Sequence, residues 1–176
     1  GDPVASMAVA NSAVMLIVGS LLSQTLVNAG PLIVKYVATA AQQTIAGAFI
    51  KATIVTRIPL FLFQAVQAAI LPRMTHFIAL VQSNLFHKLL HRVVAGICAL
   101  GAVSGLIMFL IGDWIMKIFG SSDALSNFDL LILTIGNAAF LLGLTVSQAL
   151  IAANGQRQTV VAWGAGLVVF GLMMLV

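Results

Sequence analysis

The chain has 176 residues, of which 61% are hydrophobic and only 7% charged, with a formal net charge of +4 and a mean hydropathy of +1.15. A soluble domain carries roughly 25% charged residues, so this composition excludes one and defines an integral membrane protein that is all-α, because lipid offers the backbone no hydrogen-bond partners. The basic pI of 9.9 comes from few charges, which gives no footprint for nucleic acid.

Crossing about 30 Å of hydrocarbon takes about 20 apolar residues in a helix. In chain order the predicted spans are about Ser12 to Val37, Ile45 to Leu71, Leu89 to Ile111, Leu130 to Ala153 and Thr159 to Val176. The expected fold class is therefore a polytopic helical bundle of about five transmembrane helices in a single membrane-embedded region, 1–176. The last span stops short, Gly1 is not methionine, and Gly1 to Asn11 lacks the basic region and cleavage site of a signal peptide. The sequence thus reads as a fragment.

The first span carries Ser20, Gln24, Asn28, Pro31 and Lys35 at spacings of four, four, three and four, which places them on one arc of a helix. Gly30-Pro31 predicts a hinge there, since proline removes a backbone hydrogen bond. Lys35 either joins a shared cavity or snorkels to the surface.

The second span has the same kind of stripe in Thr53, Arg57, Gln64 and Gln67, with a second hinge expected at Ile58-Pro59 and an end at Leu71-Pro72. Arg57 is the strongest functional signal in the chain. A guanidinium at bilayer depth costs about 2.5–3.5 kcal/mol on insertion scales, and no Asp or Glu lies within any predicted span. A cation so placed suits a cavity that receives an anion, and arginine grips phosphate through a two-pronged fork; the alternative is structural pairing with carbonyls or a carboxylate elsewhere. Lys51 lies on the opposite side of the same helix, where snorkelling is expected.

The connection from Pro72 to His91 is long enough for a short interfacial helix. His87 and His91 have metal-compatible spacing, but Lys88 and Arg92 beside them repel a cation and no acid or thiol completes a site. A basic, lipid-facing segment is expected there, with anionic headgroups attracted at roughly 1 kcal/mol per charge. In the third span Gly101 and Gly105 predict a close-packing face, Cys98 reads as a small buried apolar side chain, and Trp114 as an interface anchor. The fourth span repeats the polar stripe with Thr134, Asn137, Thr145 and Gln148, and the turn Asn154-Gly155-Gln156-Arg157 leads into the fifth.

Three polar stripes most simply face one another or a hydrated hollow, with interhelical hydrogen bonds worth about 0.6 kcal/mol each as the alternative. The expected cavity set is Arg57, Lys35, Gln24, Asn28, Thr53, Gln64, Asn137 and Gln148, with Pro31 and Pro59 as hinges. Arg73, Lys88, Arg92 and Arg157 against Asp113, Asp123 and Asp129 put the 72–92 loop in the cytoplasm by the positive-inside rule. No nucleotide-binding loop, nucleophile elbow, zinc signature or other catalytic motif occurs, so neither enzyme chemistry, metal nor cofactor is implied.

Leu26-Val27-Asn28-Ala29-Gly30-Pro31, then Phe49 to Arg57-Ile58-Pro59, then Ala68-Ala69-Ile70-Leu71-Pro72-Arg73 together resemble the start of the C-terminal lobe of the polysaccharide and oligosaccharide-lipid flippases, in the multidrug/oligosaccharidyl-lipid/polysaccharide exporter superfamily. The resemblance covers about Ser20 to Phe77 by motif and Leu89 to Val176 by topology. It implies two helical lobes rocking about a central cavity, a missing N-terminal lobe as partner, and a polyprenyl-diphosphate-linked oligosaccharide as substrate in a bacterial inner membrane, with Arg57 first and Lys35 second as its diphosphate contacts. Other readings are a cation-coupled small-molecule exporter of the same superfamily and, further off, a membrane glycosyl- or acyltransferase.

Overall fold

The computed structural model describes residues 3–80, 83–120 and 125–174. Within its helices the side chains at 3–6, 8, 60, 64–65, 67–68, 70–71, 73, 78–79 and 83 lie outside the description. Among these residues six α-helices follow one another, with one 3-10 turn: α1 Pro3–Val37, the turn Ala40–Gln42, α2 Gln43–Thr56, α3 Ile58–Ala79, α4 Ser83–Ile118, α5 Asn127–Ala152 and α6 Gln156–Met173. Among the described residues four stretches are long and apolar enough to cross a membrane: Val9–Val37, Ala40–Phe63, Asn84–Ile118 and Asn127–Ala152. The chain is an all-α, polytopic membrane bundle. The expected fifth span begins within α6, whose 18 described residues open on the polar run Gln156-Arg157-Gln158.

Two compact units divide the chain, one of residues 1–30 and 150–176, the other of residues 31–149. The boundary in α1 falls between Gly30 and Pro31, the predicted hinge, although the helix runs through Pro31 unbroken. In the first unit α1 and α6 pack in parallel through small residues. A Cβ on Gly19 would stand 3.6 Å from Val160, and those on Gly164 and Gly166 would lie 3.9 and 3.5 Å from Leu22 and Leu26. Ser23, on the buried side of α1, donates to the Ser20 carbonyl at 2.9 Å.

The second unit holds the larger core. Ala52 and Val55 of α2, Met108 and Met116 of α4 and Leu130 of α5 pack as one cluster. Antiparallel α4 and α5 meet along glycines, as the Gly101 and Gly105 spacing predicts: an added Cβ would lie 2.8 Å from Ala138 Cβ at Gly101 and 3.0 Å from Leu131 Cδ1 at Gly105. Such contact lets dispersion work between helices where no hydrophobic drive exists in lipid. Most other large apolar side chains on α4 face outward, among them Val103, Leu106, Ile107 and Leu110. A helix apolar on every side in this way suits hydrocarbon.

Several expectations change here. The hinge expected at Ile58-Pro59 takes the form of a one-residue interruption at Arg57, between α2 and α3, because Pro59 has no N–H for the Val55 carbonyl and its ring crowds that turn. Pro59 then occupies the first turn of α3, where a missing N–H costs least. Pro72 ends nothing, since α3 continues to Ala79. Most of the expected 72–91 connection is therefore helical, with α3 running to Ala79 and α4 starting at Ser83. Cys98 is exposed rather than buried, on the side of α4 turned away from the Val93–Ile97 core residues.

The ends of α4 and α5 are built from polar contacts absent from the expectations. Ile111 leaves helical geometry (φ −130°, ψ 16°), and the Asp113 N–H donates to Asn127 Oδ1 at 2.7 Å. Ser126 and Asp129 form a capping box at the start of α5, with Ser126 N–H donating to Asp129 Oδ2 at 2.9 Å and Asp129 N–H to Ser126 Oγ at 3.2 Å. Gly120 ends α4 at φ +68°, and Lys51 Nζ donates to its carbonyl at 3.0 Å. The predicted snorkelling of Lys51 thus finds a definite acceptor, at a helix end that favours a cation.

Candidate functional site

Depth in the second unit follows from α4. Between Arg92 and Asp113 no residue is charged, and those 20 positions rise about 30 Å, the thickness of the hydrocarbon core. Arg92 and Asp113 therefore mark the two interfaces, and the midplane falls close to Gly101. Gly101 packs on Ala138. The neighbouring Asn137 donates through Nδ2 to Thr56 Oγ1 at 2.9 Å, which sets Thr56, and hence Arg57, near mid-membrane.

At that level α2 stops. Thr56 Oγ1 donates to the Ala52 carbonyl at 2.8 Å, Thr53 Oγ1 to that of Phe49 at 2.8 Å, and Arg57 N–H reaches back to Ile54 O at 3.2 Å. Arg57 itself occupies the cap with φ −88° and ψ −9°. Its side chain is half-buried, and Nε is fully buried. Beside the break lies a small, mostly apolar cleft bounded by Thr56 and Pro59 from the second span, Ile97, Leu100, Gly101 and Ser104 from α4, and Thr134, Asn137, Ala138 and Leu141 from α5, with a volume of about 20 Å³; Arg57 does not line it. That is room for roughly one water. Thr134 is occupied within its own helix, donating to Leu130 O at 2.8 Å.

The predicted site residues separate into groups. Arg57 sits at the helix break, Thr53 is buried one turn before it, and Asn137 reaches Thr56 beside it. Gln148 is half-buried further along α5, on the same side as buried Thr134 and Thr145. Lys35 is exposed in the last turn of α1. Gln24 and Asn28 belong to the first unit and are exposed; Asn28 Nδ2 donates to the Gln24 carbonyl at 2.8 Å, one turn back on its own helix. Gln64 and Gln67 fall in α3, and their side chains lie outside the described residues.

Thr56 was missed as a site residue. Its signal was present: it stands three residues from Thr53 and from Pro59, so it shares their face, and it precedes the one arginine of the second span. Among the described residues no group of three or more metal-ligating side chains occurs. Comparison with protein-family models, curated proteins and solved structures finds no match.

Proposed function

We propose that this chain is part of a transporter that moves a polyprenyl-diphosphate-linked oligosaccharide across a bacterial inner membrane by alternating access. The observation that carries the proposal is Arg57 at a broken helix near mid-membrane, beside the polar pair Thr56 and Asn137 and an opening between helices. Discontinuous helices at the midplane are a recurrent way of building transporter sites, because the break frees backbone groups and absorbs motion. A guanidinium keeps its charge at any accessible pH and matches the oxygens of a phosphate. The diphosphate is the part of such a substrate that must cross hydrocarbon as an anion, so a fixed cation at half depth lowers its barrier where it is highest.

The motifs around Gly30-Pro31 and Pro59 support the same reading through the resemblance to lipid-linked glycan flippases. In that reading a second lobe completes the cavity, the Lys88 and Arg92 end of α4 faces the cytoplasm, and Lys35 contributes a further cation along the path. The test is transport of the lipid-linked glycan in cells or proteoliposomes carrying Arg57→Ala. Loss of a charge-assisted hydrogen bond of about 1.5–3 kcal/mol predicts a roughly tenfold to hundredfold fall, with normal membrane insertion. Undiminished transport removes the assigned role, and efflux of an organic cation in its place would favour the cation-coupled exporter.

A further inference from the structure

Where α3 and α4 meet at the hairpin, an open groove of about 360 Å³ is lined by Phe77 of α3 and by Leu85, Lys88, Leu89 and Arg92 of α4. The four α4 residues stand at spacings of three, one and three, which is one face of a helix. That face is about a quarter turn away from Val93 and Ile97, which are buried in the second unit, so packing of the bundle does not occupy it. Lys88 and Arg92 are both exposed and one turn apart, close enough for both to contact one small anion.

Electrostatics and depth define what fits. The chain has four carboxylates, Asp2, Asp113, Asp123 and Asp129. Asp113, on the same helix, is about 31 Å from Arg92 along the axis, so the positive charge of the groove is not balanced from α4. Arg92 marks one edge of the hydrocarbon core and Lys88 lies about 6 Å beyond it, at headgroup level. The remaining lining, Phe77, Leu85 and Leu89, is apolar.

We propose that this groove binds one anionic phospholipid, its headgroup phosphate held between Lys88 and Arg92 at the membrane surface. The site is separate from the cleft beside the helix break and does not depend on the transport assignment. Fixing a lipid there ties the α3–α4 hairpin to the membrane surface.

The test is native mass spectrometry of the detergent-solubilised chain after equilibration with phosphatidylglycerol, phosphatidylcholine or inorganic phosphate. The expected result is one phosphatidylglycerol retained per chain in preference to phosphatidylcholine. Lys88→Gln combined with Arg92→Gln should weaken retention roughly 30-fold, each single change roughly fivefold, and Lys117→Gln, at the other end of α4, should leave it unchanged. If the double variant does not fold, the single variants decide. Equal retention of the two lipids, retention indifferent to Lys88 and Arg92, or displacement of the lipid by millimolar phosphate would each overturn the proposal, the last in favour of a free-phosphate site.

Discussion

Gly101→Ala isolates the contact on which the depth of Arg57 rests. In a helix that faces nothing, alanine is favoured over glycine by about 1 kcal/mol, so propensity alone predicts stabilisation. Here the new methyl would stand 2.8 Å from Ala138 Cβ, a carbon fixed to the backbone of α5 that cannot swing aside. Overpacking of this kind costs about 1–3 kcal/mol, which offsets the propensity gain and leaves a net destabilisation of up to about 2 kcal/mol. Gly105→Ala should cost less, because its neighbour at 3.0 Å is the mobile end of Leu131. Gly96→Ala, with nothing within 4 Å, should be neutral or stabilising. Reversible unfolding in mixed micelles measures all three, and Ala138→Gly should rescue Gly101→Ala by at least about 1 kcal/mol. A Gly101→Ala as stabilising as propensity alone predicts, or an Ala138→Gly background that restores nothing, would refute the α4–α5 register.

Other consequences are open to direct measurement. A double-mutant cycle of Thr56→Val and Asn137→Leu should return a coupling of about 0.6 kcal/mol, and not above about 1.7, as for interhelical hydrogen bonds in other membrane bundles; no coupling would separate α5 from the helix break. Lys51→Met removes the donor to the Gly120 carbonyl and should cost about 0.3–1 kcal/mol, read in the same unfolding assay. Cys98 is exposed on an apolar helix face, so in membranes it should react with a lipid-soluble maleimide and resist a charged one, whereas a buried thiol would resist both.

How much of this was legible in the sequence depended on the range of the interaction involved. Helix positions followed from apolar length, which is local, and the Gly101 and Gly105 face followed from spacing. The place where the second span breaks did not, because proline marks a disturbance without saying which residue leaves the helix; Arg57, two positions earlier, is the one that does. Pro31 and Pro72 show the converse, since both sit inside continuous helices. In the polar stripe of α1, periodicity identifies a face, and one bond of Asn28 goes to the Gln24 carbonyl one turn back on the same helix, a local contact that spacing alone does not distinguish from one across a cavity. Cys98 was misjudged through residue type, because in lipid an exposed position carries no penalty for a small apolar side chain. Thr56 was within reach of the same face argument that found Thr53 and Arg57.

The central claim is that Arg57 lies beside a hydrated hollow at mid-membrane that accepts a phosphate-bearing ligand. Its most direct test is chemical access: Arg57→Cys in a Cys98→Ala background, treated in native membranes with a charged, membrane-impermeant thiol reagent. Modification that is slowed by a polyprenyl diphosphate is the expected result. A thiol at position 57 that no aqueous reagent reaches, or whose reactivity is indifferent to the diphosphate, would contradict it.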